Sequence, residues 1–200
     1  MIINRISKSN GKLYKVYSDE RYLFSLYYNE LKKYNIIEGE DVPDELVGNI
    51  INNVIFKRGK ERALYLLEHR PYTIFSMKQK MLTCGYPGEV VDRIIDFLIE
   101  YNYLDDSEYV TMFVNSYCRN KSRRQIELAL ITKGIDRQFI TDYFENNEYS
   151  DIDCFLSQYN KYTRDKDISD PVVRRKVFRY FYSKGFSTDL INDTMRNYAQ

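Results

Sequence analysis

The sequence predicts a mainly α-helical protein: three tandem three-helix repeats in an elongated, curved array, preceded by a small N-terminal β-meander and helices. Three observations carry this. Gly85, Gly134 and Gly185 recur about fifty residues apart, each at the joint between two short amphipathic stretches. Apolar residues fall at helical spacing on both sides of every one of these glycines. Residues 1–24 instead alternate in the manner of strands. Repeats of this kind stack so that neighbours bury each other's apolar faces.

In the N-terminal part, residues 1–58, the apolar positions are Ile2, Ile3 and Ile6, then Leu13 to Tyr17, then Tyr22 to Phe24. Asn10-Gly11 and Asp19-Glu20 supply turns, which predicts a hairpin or three-stranded meander. So small a sheet is unstable alone and must pack on the helices that follow. Leu26 to Tyr34 reads as a short helix and Ile37 to Asp41 as a loop. Pro43 suits the first turn of a longer helix reaching His69, with Leu46, Ile50, Val54, Leu64 and Leu67 inward and Gly59 a candidate break.

The first repeat, residues 59–104, places Met77, Met81 and Leu82 before Cys84-Gly85-Tyr86, and Val90, Val91, Ile94, Phe97 and Leu98 after it. In the second, residues 105–148, Asp105 stands where free backbone N–H groups need a cap, and Glu108 favours the positive end of the helix dipole. Val110, Phe113, Val114 and Tyr117 then form one stripe. A basic turn follows (Arg119, Lys121, Arg123, Arg124), then Ile126, Ala129 and Leu130. Lys133-Gly134 ends that helix, Asp136 restarts the chain, and Phe139, Ile140, Tyr143 and Phe144 mark a third. The third repeat, residues 149–200, has Phe155, Tyr159 and Tyr162, a polar stretch from Thr163 to Ser169, and the start signal Asp170-Pro171. Val177, Phe178 and Phe181 precede Lys184-Gly185-Phe186, and Leu190, Ile191, Thr194 and Met195 follow. No Gly/Ser linker intervenes, so the repeats should touch, with hinge freedom confined to short joints such as 146–151.

Tyr103-Leu104-Asp105-Asp106, the basic cluster after it, and Leu130 through Lys133-Gly134-Ile135 resemble the central repeat of the RecX regulatory proteins, bacterial modulators of the recombinase RecA. Arg70, Thr73, Met77, Lys80 and Met81 are similar to that family's first repeat. Ile6, Tyr14, Val16, Tyr17, Phe24 and Ser25, with Lys33-Tyr34-Asn35 and Gly39, resemble the N-terminal segment of longer members. The chain departs from the pattern at Ser122, where the family carries a glycine, and at Ser76, where it carries an acid. The resemblance implies a regulator of recombination, repair and the SOS response. Such a protein lies along the RecA–single-stranded DNA filament and restrains its ATPase, strand-exchange and co-protease activities.

Thirty basic against twenty-nine acidic residues leave a net charge of +1, so bulk charge points to no nucleic-acid partner. Distribution says more: Arg119–Arg124 contains no acid, and neither does Pro171–Thr188, which holds Arg174, Arg175, Lys176, Arg179 and Lys184. Solvated helix faces are the plainer explanation of such clusters. Cys84, Cys118 and Cys154 lack any CxxC spacing, and no apolar run approaches the roughly twenty residues of a membrane span. A reduced, cytoplasmic, monomeric protein without membrane contact is expected. The twenty tyrosines, with no tryptophan, accompany general Asn, Ile and Lys enrichment and are not read as a binding platform.

The sequence offers no specific catalytic constellation. His69 is the only histidine, and at a helix end beside Arg70-Pro71 it reads as structural or simply exposed. Asp105-Asp106 is explained by capping, and no GxxxxGK or GxGxxG loop is present. No enzyme activity, metal or cofactor is expected. The candidate RecA-filament contact is therefore Arg119, Lys121, Arg123, Arg124 and Lys133, with Arg174, Arg175, Lys176, Arg179 and Lys184. Single-stranded DNA would be touched through the filament, or directly with low sequence specificity. Arg123→Glu combined with Arg124→Glu is expected to weaken inhibition while leaving the fold intact. The alternative is a stand-alone DNA-binding module whose helix pairs act like helix-turn-helix units on duplex DNA.

Overall fold

The N-terminal alternation forms an antiparallel sheet, β1 (Arg5–Lys8), β2 (Leu13–Ser18) and β3 (Arg21–Tyr27), in that order in the computed structural model, which describes residues 1–9 and 11–197. Asn10, half of the expected first turn, lies outside the described residues. The second turn forms as expected. Asp19 and Glu20 both take positive φ, 46° and 60°, the handedness that matches the twist of a two-residue hairpin. Val16, Phe24 and Leu26 point into the core and are fully buried. The chain ahead of β1 is anchored by the 37–41 loop, with Ile3 N–H donating to the Glu40 carbonyl and Gly39 N–H to the Ile3 carbonyl.

β3 runs through Leu26, so the first helix starts later than the sequence implies: α1 is Tyr28–Lys33. Glu30 accepts from the Tyr27 N–H and holds that start. The long helix from Pro43 to His69 forms, but its irregularity is not at Gly59. It comprises α2 (Asp44–Ile50), a π-helical turn (Ile51–Ile55) and α3 (Phe56–His69). Gly59 is instead a close-packing site, because a Cβ there would lie 2.3 Å from Ile94 Cδ1 and 3.3 Å from Tyr86 Cε1. Ile94 belongs to α5 (Gly88–Glu100), which packs with α4 (Ile74–Thr83) against α3. Sheet and helices bury one continuous core that includes Phe24, Ile50, Met77, Met81, Ile94 and Leu98. This is the first of two compact units, Met1–Asp105.

The second unit, Asp106–Gln200, contains two further triplets. One is α6 (Asp106–Tyr117), α7 (Arg123–Thr132) and α8 (Arg137–Asn146); the other is α9 (Ile152–Thr163), α10 (Pro171–Ser183) and α11 (Thr188–Asn197). α6 begins directly after Asp105, leaving that residue at the capping position. Asp136 caps α8 by accepting from the Gln138 and Phe139 N–H groups, and Asp170 caps α10 through the Val172 N–H. At each second-to-third joint the glycine takes φ of 84–87°, and the residue after it donates back to the preceding helix: Tyr86 to Met81, Ile135 to Leu130, Phe186 to Phe181. This is a Schellman closure, and it explains the recurrent glycine.

Apolar burial departs from the stacked-repeat expectation. The second triplet packs Val110, Phe113, Ile126, Leu130 and Ile140 around itself, while the third packs Phe155, Tyr159, Phe181, Phe186 and Ile191 separately. Each triplet contains enough large side chains to close its own core. The described contacts joining the two are mostly polar.

Candidate functional site

The basic turn of the second triplet is the joint between the two triplets of the second unit. Ser122 is the N-cap of α7: its Oγ accepts from the Gln125 N–H, and Gln125 Oε1 accepts in return from the Ser122 N–H. Ser76 repeats this device in the first triplet, accepting from Thr73 N–H while Thr73 Oγ1 accepts from Ser76 N–H. Both departures from the pattern the chain resembles therefore sit in capping boxes, Ser122 as the N-cap of α7 and Ser76 as the third helical residue answering the Thr73 cap of α4. Ser122 is fully buried, and its hydroxyl also donates to the Lys184 carbonyl at 2.6 Å, at the C-terminal end of α10.

Further polar contacts close the same joint. The Arg123 N–H donates to Asp151 Oδ1 at 2.8 Å, so the start of α7 is capped across the triplet boundary. The Tyr149 hydroxyl donates to the Lys121 carbonyl, Gln158 Nε2 to the Asn120 carbonyl, and Lys184 Nζ to Gln158 Oε1. Burial pushes the Asp151 carboxyl above its ordinary range, opposed by the Arg123 N–H bond. Burial also pushes the Tyr149 hydroxyl upward, and the neighbouring Asp151 adds to it. The 146–151 stretch, expected to be a hinge, is thus fastened at Tyr149 and Asp151.

The cations named from the sequence separate into an engaged group, an exposed group and Arg174, which belongs to neither. Arg123 pairs with Glu127 at 2.7 Å and lies over the Phe144 ring, and Lys121 lies 4.2 Å over Tyr117. Lys133 sits near Tyr109 and Phe113, and Lys184 over Tyr180. All four are half-buried and engaged within the fold. Arg119, Arg124, Arg175, Lys176 and Arg179 are exposed. Arg124 reaches the surface beside Gly185, where a Cβ would lie 2.7 Å from its own Cβ. Arg175 and Arg179 stand four apart on α10 and share a face. Arg174 is half-buried and lines a groove of about 390 Å³ between α10 and α11, with Arg175, Phe178 and Met195.

Sequence reasoning missed Asp151, Tyr149 and Gln158, which hold the joint. The only signal was the position of Asp151 just before an apolar helix, which reads equally as a local cap. His69 is exposed, with Nδ1 2.7 Å from the Tyr65 carbonyl. Of the cysteines, Cys154 is buried, whereas Cys84 and Cys118 are half-buried, and all are free thiols. Among the described residues there is no cluster of His, Cys, Asp and Glu able to hold a metal, and no helix long and apolar enough to cross a membrane.

A family model for the first three-helix domain of RecX matches residues 60–98, and one for its third three-helix domain matches residues 150–195. The chain is 28% identical to the regulatory protein RecX of Clostridium perfringens strain SM101 over 200 residues, covering 96% of this chain and 92% of that one. It is 27% identical to the RecX of Finegoldia magna, over 95% of this chain and 96% of the relative. Among solved structures, a regulatory protein RecX superposes with a TM-score of 0.60 at 20% identity, covering 96% of this chain and 98% of its own. RecX from Lactobacillus salivarius gives 0.59 at 23% identity, over 72% of this chain and 96% of its own.

Proposed function

We propose, from the premise that the chain belongs to the RecX family of regulatory proteins, that it binds the RecA–single-stranded DNA filament in the cytoplasm as a monomer and lowers its ATPase, strand-exchange and co-protease activities. The supporting observation is the set of exposed cations on the second unit, Arg119, Arg124, Arg175, Lys176 and Arg179. Their guanidinium and ammonium groups suit a partner rich in carboxylates and phosphates. The polar joint at Ser122 and Asp151 holds the two triplets, and hence these cations, in a set arrangement. A duplex-reading module would need base-reading side chains at the start of its third helices. Gln138, the second residue of α8, spends its amide on Asp142 instead, which leaves Arg137 as the one such side chain at that start.

Titration into RecA filaments, with ATPase and co-sedimentation as readouts, tests this reading. Inhibition with co-sedimentation is expected, and Arg175→Glu with Arg179→Glu should raise the half-inhibitory concentration about tenfold while leaving the melting temperature unchanged. This pair replaces Arg123→Glu with Arg124→Glu, because Arg123 is an internal structural contact. Unchanged ATPase together with absence from the pellet would remove the proposal.

A further inference from the structure

The first unit carries a surface that the second-unit cations do not account for. Along one side of α3, Arg58, Arg62, Tyr65 and His69 are spaced 4, 3 and 4 residues apart, so they share a face about 16 Å long. Two cations are followed along it by two rings. Arg58 lies 4.8 Å from the Tyr27 ring, Arg62 lies 5.3 Å from the Tyr65 ring, and Tyr65 packs on His69 at 4.3 Å. Tyr27, Arg58, Arg62 and Tyr86 line a single open cavity of about 520 Å³.

Tyr27 also borders a second cavity, of about 350 Å³, whose other walls include Lys8, Lys12, Tyr14 and Tyr28. Lys32 stands 4.6 Å over Tyr28, which packs on Tyr14. Tyr27 is thus a wall of both cavities. Tyr27, Tyr28 and Tyr65 are 42%, 53% and 50% exposed. Three carboxylates belong to this surface: Glu30, which pairs with Arg58, Glu61, and Glu68, three residues on from Tyr65. Lys8, Lys12, Lys32 and Arg62 have no ion-pair partner among the described residues. Cationic charge therefore predominates, most strongly at the sheet end.

The geometry points to a groove for single-stranded DNA, with unstacked bases lying on Tyr27, Tyr28 and Tyr65 and the backbone phosphates meeting Lys8, Lys12, Lys32 and Arg62. Half-exposed rings beside cations that lack an ion pair match a strand whose bases are free to stack; a duplex hides its base faces and would leave the rings unused. The choice of DNA as the strand rests on the filament reading; the groove itself does not. It lies wholly within the first unit, so it is a site separate from the exposed arginines proposed to meet RecA.

The test uses the full chain and a fluorescent twenty-residue oligo-dT without RecA, followed by anisotropy across a salt series. Four phosphate contacts predict a slope of log affinity on log salt near about −3. Lys12→Glu with Arg62→Glu should weaken binding at least about tenfold and roughly halve that slope. Tyr28→Ala with Tyr65→Ala should weaken it about tenfold while leaving the slope unchanged. Lys161→Glu, an exposed change on α9, should bind as the parent does. Circular dichroism confirms that each variant is folded. Failure of oligo-dT to bind at low salt would overturn the proposal, as would full binding by both double variants. Equal competition by duplex, or by poly-glutamate, would overturn it too, and about tenfold tighter binding of oligo-U would overturn the assignment to DNA. Since RecA is absent, a negative filament assay leaves this result standing, and the reverse holds as well.

Discussion

Asp151 shows how one half-buried carboxylate can cap a helix that is not its own. Its Oδ1 takes the Arg123 N–H, one of the donors that α7 cannot satisfy internally, and burial raises its pKa. The sign follows from linkage. A raised folded-state pKa contributes stability that is fully present below the ordinary aspartate value of about 4 and is lost as pH rises through the raised value. Asp151→Asn keeps an acceptor for Arg123 without the desolvated charge, so at pH 7 it should be as stable as the parent or more so. Asp151→Ala removes the cap and should cost about 1 kcal/mol. Urea midpoints at pH 4 and pH 7 check both; a parent that gains on the Asn variant as pH rises would refute the assignment. Nothing in the sequence distinguished this aspartate from Asp136 or Asp170, which cap the helices they precede, because its partner lies 28 residues away.

At the scale of elements, the joint between the second and third helices of each triplet is the recurring device. Gly85 and Gly185 share nearly the same positive φ, 87° and 86°, but not the same surroundings. Around Gly85 a Cβ would meet nothing within 4 Å, whereas at Gly185 it would lie 2.7 Å from Arg124 Cβ. Gly85→Ala should therefore cost only the left-handed backbone, about 1 kcal/mol. Gly185→Ala should cost about 1 kcal/mol or more beyond that, because the second and third triplets must move apart. Chemical denaturation of the two variants gives the comparison, and equal losses would contradict the close approach. A hydroxyl also docks on both joints, Tyr22 on the Gly85 carbonyl and Ser122 on the Lys184 carbonyl. The glycines, the helix restarts and the turn at Asp19-Glu20 were legible because each is a local backbone requirement with few residues able to meet it. The π turn at Ile51–Ile55 and the role of Gly59 were not, since both depend on what packs against that helix.

At the scale of the molecule, separate cores in the second and third triplets make the polar joint the main described link between them. Ser122→Ala with Asp151→Ala should let the third triplet open without the second. Hydrogen exchange would then show protection in α9–α11 falling while protection in α6–α8 largely persists. Uniform loss across both triplets would mean that they open as one body despite their separate cores. The same organisation sorts the surface chemistry, with exposed arginines on the second unit and the ring-and-cation groove on the first. By itself the sequence determined the helical class, the N-terminal meander and the threefold recurrence, because periodicity, caps and glycines act over a few residues along the chain. Which cations are free, which serine and aspartate fasten two triplets, and which tyrosines stand open beside lysines were decided only by the tertiary structure. Those properties are set by neighbours distant along the chain, and in the sequence an exposed tyrosine and a core tyrosine look alike.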